Sequence, residues 1–430
     1  MNRIFSGIRK VSLMLLLFGV FCIPGTLKKS HASDEANENI VLEFSSISDI
    51  HLKNQRSIEE ERFENAIRLS YQHTNNLDAI VVNGDFTDGG HDPQYQRFTD
   101  VIDREVDTNI PVIVNHGNHE NGRNESDPHE YFREVFGYGI DHVFEVKGYY
   151  FITLGVHYGD RYLPQQALWL QSKLEILTKE KPNQPVFVLI HYPASETTGN
   201  SIRNGRDTFK SVMEKYPQVI HISGHSHSPL QDPRMIHQDK FTSFNNGSLS
   251  YLFYEKADFD GPQDTASVGH FAIIKVTETN KVIIERHLIN DEDITKSIKL
   301  EEDYIIDVPK GIDGFTYTNG WYDDGSAPYF NENSMIELKK TQTRWAITFD
   351  QANDQHFVYY YHIYIKDLQK NQYVKVIKPN SLFFELEMPL TRTREFSADL
   401  SIGSSYEITI YAISVTNRIS EPLIQTVTIT

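Results

Sequence analysis

Five apolar runs punctuate the first half of the chain, and each stops abruptly on a carboxylate, an imidazole or an amide. Residues 41–47 lead into Ser48-Asp49-Ile50-His51, and 79–82 into Asn83-Gly84-Asp85-Phe86-Thr87-Asp88. Residues 111–114 lead into Asn115-His116-Gly117-Asn118-His119-Glu120, 185–190 into His191, and 219–222 into Ser223-Gly224-His225-Ser226-His227. The run 79–82 is apolar throughout, with no alternation. That is the pattern of parallel strands covered on both faces, and ligands of such sheets gather beyond the carboxyl ends of the strands. Between the runs, helical spacing predicts helices over 58–72, with Phe63, Ala66, Ile67 and Ser70 inward, over 94–104, and over 208–216. A further helix is expected over 165–177, with Leu168, Trp169, Ile176 and Leu177 as its apolar face, and 149–154 reads as another strand. The alternation of strand and helix makes this half an α/β domain.

The second half reads differently. Residues 241–250 and 271–288, the latter turning at Glu278-Thr279-Asn280, are expected to complete a second sheet. The mixed-charge stretch up to Asp307 and the break at Pro309-Lys310-Gly311 place a linker at 301–329. Beyond it, Trp345, Ile347 and Phe349 alternate, as do Tyr359, Tyr361, Ile363 and Ile365, and then Tyr406, Ile408, Ile410 and Ala412, which predicts an all-β domain over 330–430. The α/β domain accordingly occupies 33–300.

The first 32 residues stand apart. Arg3, Arg9 and Lys10 precede the apolar stretch 11–23, then Pro24-Gly25 and the small-residue site Ser30-His31-Ala32, the layout of a secretory signal cleaved after Ala32. The apolar stretch is short for a membrane span, and bulky Phe21 argues against lipid attachment at Cys22. The expectation is a secreted, extracellular protein. Cys22, the only cysteine, leaves with the signal, so the mature chain has neither disulfides nor a thiol nucleophile. The formal charge of −18 becomes about −23 once five basic residues are removed, which disfavours sequence-specific nucleic-acid binding. An anionic substrate then needs a local positive centre, which bound cations would supply.

The strand ends supply the chemistry for such a centre. On extended chain Asp49 and His51 point to one side; Gly84 leaves both oxygens of Asp85 free to meet two cations; the Asn118 carbonyl is a hard ligand; His225 and His227 are spaced to chelate. Each alone is also what an ordinary turn or solvated loop looks like. Together, in this order, Asp-x-His, Gly-Asp-x-x-Asp, Gly-Asn-His-Glu, His and Gly-His-x-His resemble the calcineurin-like metallophosphoesterases over residues 40–298. The resemblance implies a two-sheet αβ sandwich with a dinuclear metal site. It places Asp49, His51 and His227 on one ion and Asn118, His191 and His225 on the other, with Asp85 bridging. It makes His119 the catalytic histidine and Asp88 the residue that orients it. Two divalent ions, manganese, iron or zinc, can share a hydroxide and clamp a phosphoryl oxygen for in-line attack, so no protein nucleophile is required.

Departures from relatives narrow the class. Gly89 and Gly90 follow Asp88, where protein Ser/Thr phosphatases of this superfamily carry an arginine that grips phosphate, and purple acid phosphatases have a ferric-binding tyrosine in place of Asp88. What remains is similar to the cyclic-nucleotide and glycerophosphodiester phosphodiesterase branch, acting on a small phosphodiester. A phosphomonoesterase with the same site, and a non-catalytic surface-binding protein on this scaffold, are the alternatives. Scaffold relatives lose ligands, and this chain keeps all of them. His91, His116, Tyr158 and Tyr192 are candidates for lining the pocket. Residues 400–422, with Tyr406 in the tyrosine-corner place, resemble the end of a fibronectin type III domain, which implies an immunoglobulin-like sandwich, a spacer or a cell-wall-facing module. Phe315, Tyr317, Trp321, Tyr322 and Tyr329 read as an interdomain packing patch or a carbohydrate-contact surface.

Overall fold

The computed structural model describes residues 38–123, 127–199, 201, 205–253, 268–385 and 389–430; the expected signal at 1–32 lies outside them. Two sheets carry the α/β part. The first contains β1 (Ile40–Ile47), β2 (Ala79–Asn83), β3 (Val112–Asn115), β10 (Val268–Thr277), β11 (Lys281–Asn290), β12 (Ser297–Lys299) and β13 (Tyr304–Asp307), in the order β12-β11-β10-β1-β2-β3 with β13 also on β11. The second contains β4 (Asp141–Val146), β5 (Tyr149–Leu154), β6 (Val186–Ile190), β7 (Val219–Ser223), β8 (Ile236–Gln238) and β9 (Thr242–Asn245), in the order β4-β5-β6-β7-β9-β8. The central strands are parallel: β1 with β2, β2 with β3, β5 with β6, β6 with β7.

Double burial explains the unalternating runs. Every residue of β2 is buried. Ala79 and Val81 enter the core shared by the two sheets, while Ile80 and Val82 enter a second core with Phe63, Ile67 and Phe98. The latter three come from α1 (Ile58–His73) and α2 (Asp92–Glu105). Strand β6 is divided in the same way: Phe187 and Leu189 face the first sheet, and Val186, Val188 and Ile190 face Leu170 and Leu174 of α4 (Pro164–Glu180). A short α3 (Pro128–Phe136) follows β3, capped by the Asp127 side chain, which accepts from the His129 and Glu130 amides.

Three expectations need correction. On α4, Leu168 and Ile176 are 71% and 62% exposed, because the stripe facing β6 is set by Leu170 and Leu174 with Ala167, Trp169 and Leu177 at its margin. Residues 208–216 contain only α5 (Lys210–Met213), although Phe209, Val212 and Met213 are buried. The strand expected at 241–250 is only the four residues of β9, while β10 and β11 form the long hairpin, turning at Asn280 with φ 62°.

Residues 301–329, read from the sequence as a linker, begin with β13 on the first sheet, and Tyr317 and Trp321 pack against the core between the sheets with ring centroids 5.0 Å apart. Tyr322 joins the cluster described below, and Tyr329 is exposed.

The remaining strands form a sandwich. One sheet is β14 (Ile336–Lys340), β15 (Trp345–Asp350) and β18 (Thr391–Phe396). The other is β17 (Gln372–Ile377), β16 (Val358–Asp367), β19 (Ser405–Ser414) and β20 (Leu423–Thr428). Alternation places Ile347, Phe349, Tyr361, Ile363, Ile365, Ile408 and Ile410 between the sheets. Tyr406 is fully buried, and its hydroxyl accepts from the Ser401 amide at 2.9 Å, the bond that a tyrosine corner makes.

Residues 39–430 cluster as one compact unit. Leu252, Val268 and Leu288 of the α/β part bury themselves with Phe357, Tyr359, Phe383, Phe384 and Val415 of the sandwich. Phe357 and Phe383 stack at 4.0 Å and 7°, and Gln231 Nε2 donates to the Phe384 carbonyl at 3.0 Å. Phe383→Ala is expected to lower stability by about 3–5 kcal/mol, the usual cost of deleting a buried ring. Urea unfolding followed by near- and far-ultraviolet dichroism checks this: the midpoint should fall in both signals together, and an unchanged midpoint would contradict the packing role.

Candidate metal centre

Each candidate residue sits where a strand stops: Asp49 and His51 after β1, Asp85 and Asp88 after β2, Asn118 and His119 after β3, His191 after β6, His225 and His227 after β7. Amide side chains join the two sheets beneath them. Asn83 Nδ2 donates to the Ile222 carbonyl at 2.8 Å, and Asn115 Nδ2 donates to Asn83 Oδ1 at 3.0 Å and to the Leu189 carbonyl at 3.2 Å. The Gly224 amide donates to the His191 carbonyl at 2.9 Å.

The backbone at the site is strained. Asp49, His51, Asp85, His225 and His227 all have positive φ, between 50° and 63°. Left-handed backbone costs a residue with a side chain about 1–3 kcal/mol, and it persists only where the surroundings over-determine it. Here the loops hold one another: Asp49 N donates to Gly84 O at 3.2 Å, His51 N to Asp85 O at 3.0 Å, and His225 N to Asp49 Oδ2 at 3.0 Å.

This conformation converges the side chains into two adjoining groups, Asp49 with His51 and His227, and Asp85 with His191 and His225. His227 Nε2 is 3.1 Å from Asp49 Oδ1 and 3.2 Å from His51 Nε2; His191 Nε2 is 2.9 Å from Asp85 Oδ2 and 3.8 Å from Asp49 Oδ1. His191 thus touches both buried carboxylates. The rings are aimed by main-chain carbonyls, since Asn83 O, Tyr251 O and Asp88 O each lie 2.8 Å from Nδ1 of His191, His227 and His119 respectively. A carbonyl only accepts, so these rings carry a proton on Nδ1 and turn Nε2 into the site. Asn118 Oδ1 is buried with no hydrogen-bond partner. An orphaned amide oxygen, two buried carboxylates and inward imidazole nitrogens, with no thiolate among them, fit divalent manganese, iron or zinc.

The electrostatics agree with that fit. Burial pushes the Asp49 carboxyl up, yet His227 and His191 bring it down to about 2, and burial pushes His191 down while Asp85 and Asp49 raise it to about 10. His51 and His225 are lowered to about 3, first by burial and then by neighbouring histidines. The carboxylates therefore draw positive charge into a buried place, charge that a bound cation would supply instead of the His191 proton, and burial keeps His51 and His225 neutral and able to ligate. His119 is opposed by burial but raised above its ordinary value by the Asp85 carboxylate and the Asp88 carbonyl. Its Nε2 lies 4.0 Å from Asp85 Oδ2, and its side chain remains 34% exposed.

The carboxylate of Asp88, expected to orient His119, instead faces Lys53 Nζ at 2.7 Å and His51 Nδ1 at 3.8 Å, and the contact with His119 Nδ1 is made by the Asp88 main-chain oxygen. Among the pocket candidates, Tyr192 lies on the His225 ring at 3.9 Å. His116 is fully buried against His129 and Phe132, and Tyr158 packs on His129 with 45% exposure. The His91 amide donates to Gln94 Oε1 at 3.2 Å, so His91 caps α2.

Sequence reasoning gave no task to Glu120. Fully buried, its carboxylate accepts from the amides of Asp85 (2.9 Å), Gly117 (2.8 Å) and Thr87 (2.9 Å) and from the Thr87 hydroxyl (2.7 Å). Burial and the charge of Asp85 push it up to about 7 despite those donors. Its place beside His119 is visible in the sequence; its inward direction is not.

Residues 45–229 match the profile of the family described as calcineurin-like phosphoesterase. The chain is 25% identical over 199 residues to a probable glycerophosphodiester phosphodiesterase GpdQ of Arcobacter nitrofigilis, a similarity covering 42% of this chain and 70% of that protein. Among solved structures, a purple acid phosphatase, PPD1, from yellow lupin (Lupinus luteus) seeds superposes with a TM-score of 0.43 at 13% identity, over 63% of this chain and 54% of the lupin chain. The fibronectin type III domain of human collagen alpha-1(XX) superposes over 25% of this chain and 89% of its own at 15% identity, with a TM-score of 0.18.

A side chain at Gly117 would run into Asp85 Oδ1 and the Asp85 amide. Gly117→Ala is therefore expected to displace Asp85 and weaken metal binding about 10–100-fold, as loss of outer-shell support generally does. Metal content after dialysis against graded chelator measures this, with the far-ultraviolet spectrum unchanged; full retention of metal would show that Asp85 has room to move.

Proposed function

We infer that this chain, a calcineurin-like phosphoesterase across residues 45–229, hydrolyses small phosphodiesters outside the cell. The observation that carries the reading is the convergence of strained strand ends on two groups of metal-ligating side chains, with Nε2 of His51, His191 and His227 facing inward. Asp49, His51 and His227 would hold one divalent ion, and Asn118, His191 and His225 the other, with Asp85 between them. When bound, such a pair supplies the positive charge that generates a nucleophile from water and stabilises a phosphoryl group in transfer.

The chain's own residues do the rest. His119 stands beside this centre with its proton-bearing Nδ1 anchored to Asp88 O and its Nε2 turned to the site, where it can protonate or stabilise the departing alkoxide. Glu120 holds Asp85, Thr87 and Gly117 in register, so the Asp85 carboxylate, which would lie between the ions, does not swing away. A diester is favoured over a monoester because Gly89 and Gly90 follow Asp88, leaving no arginine there for a third free oxygen. The similarity to a probable glycerophosphodiester phosphodiesterase supports the same substrate class. Export rests on the apolar stretch 11–23 and the Ser30-His31-Ala32 site.

The mature protein, stripped of metal and refilled with manganese, zinc or iron(II) separately, is expected to show a higher kcat/KM for an aryl phosphodiester than for the matching monoester. It should show none when left without metal. A preference for the monoester with every metal would make this a phosphomonoesterase, and no hydrolysis of either would leave a binding protein on the same scaffold. His119→Ala should keep its metals and lose about 10²–10⁴-fold in kcat on alkyl esters, with a clearly smaller loss on nitrophenyl esters that need no proton. Plotting kcat against leaving-group pKa decides the matter; an equal loss across all leaving groups would remove His119 from that step.

A further inference from the structure

Lys53 lies two residues beyond His51, and the sequence gives it no part in the site. The structure brings its Nζ within 2.7 Å of Asp88 Oδ1, and that carboxylate clusters with the ring nitrogens of His51 and His119, all within 4.8 Å of one another. Lys53 and Asp88 side chains are 38% and 39% exposed, so the pair stands at the open rim beside His119 while His51 lies fully buried behind it. An ammonium has three donors. Among the described residues Asp88 is its ion-pair partner, so one donor is committed and the partly exposed ammonium keeps two others.

We propose that Lys53 is a substrate-contacting, specificity-determining residue that grips a non-bridging oxygen of the phosphoester, supplying from the β1 side the cation that the Gly89-Gly90 sequence omits after Asp88. The proposal rests on the phosphoesterase reading above and deepens it. Asp88 has a matching part: its carboxylate holds the flexible ammonium at the rim, while its main chain orients His119, so one residue registers the anion contact against the leaving-group histidine. On a strongly acidic chain such a tethered cation also favours entry of an anion. Because Lys53 is a point charge and not a planar fork, it attracts a dianion more than a monoanion without selecting a bidentate geometry. Lys53 thus sets how much monoester activity accompanies the diester activity.

The test compares the original protein with Lys53→Gln and Lys53→Arg, all metal-loaded. For Lys53→Gln, KM for an aryl monoester should rise about 10-fold and that for the matching diester about 3-fold, with kcat within about twofold, the scale of one partly exposed ionic contact. Lys53→Arg should recover most of both. Calorimetric titration with inorganic phosphate reads the same contact without turnover, and its affinity should fall about 5–10-fold in Lys53→Gln and return in Lys53→Arg. Unchanged phosphate affinity, or equal losses on both esters through kcat, would overturn the proposal and leave Lys53 as a surface partner of Asp88. Loss of a metal equivalent in Lys53→Gln would overturn it too, by showing that the lysine acts through His51. Normal phosphate discrimination in a protein that hydrolyses neither ester would instead sink the phosphoesterase reading while sustaining the contact.

Discussion

The structure of this site depends on one buried carboxylate that touches none of the proposed reacting atoms. Glu120 collects four donors from the loops after β2 and β3 and so binds two strand ends into one piece. Without it the left-handed turn at Asp85 would have its amide unpaired in a dry interior, at a cost comparable to the strain itself. The side chains of the candidate centre inherit this rigidity. The Asp85 carboxylate is fixed, His119 N donates to it at 2.9 Å, and His191 meets its other oxygen. Burial first, and then the like charge of Asp85, raise Glu120 toward neutrality, so cohesion of the loops and charge at the centre are set against each other.

Much of the arrangement was legible in the sequence because the physics is local. A parallel strand buried on both faces has to be apolar throughout, and it has to end where the chain reaches a polar rim. The runs around Ile80–Val82 and Phe187–Ile190 therefore announced both the strands and the place where chemistry would collect. What stayed hidden depends on direction. Leu168 and Ile176 are as apolar as Leu170 and Leu174, and only the angle at which α4 meets β6 separates them. Asp88 was recognisable as a partner of His119, yet whether it acts through carboxylate or carbonyl is a matter of one backbone turn. Lys53 was invisible because a lysine after a strand is usually a solvated side chain; it takes the fold to show that its ammonium meets the carboxylate of Asp88.

The sandwich is joined to the rest by aromatic packing as well as by the connecting chain. Leu252 lies next to Tyr251, whose carbonyl aims His227 and whose ring lies 4.2 Å from the His227 ring. Phe357, Phe383 and Phe384 therefore press on the segment that sets one proposed metal ligand. Fibronectin-like modules often act as spacers. In this chain the module also forms part of the wall behind the catalytic half.

The position of β1 has a consequence for how the molecule comes into being. β1 lies between β2 and β10, and its antiparallel partner Val268–Thr277 arrives only after the last of the proposed ligands, His227, has been made. Throughout that interval of synthesis β1 has an open edge, the kind of surface that pairs promiscuously with other chains. The loop after it, with the proposed ligands Asp49 and His51, hangs from a sheet that is still unfinished. The dense early motifs are thus the first part of the centre to be written and among the last to be secured, which makes closure of the β10–β11 hairpin the birth of the site.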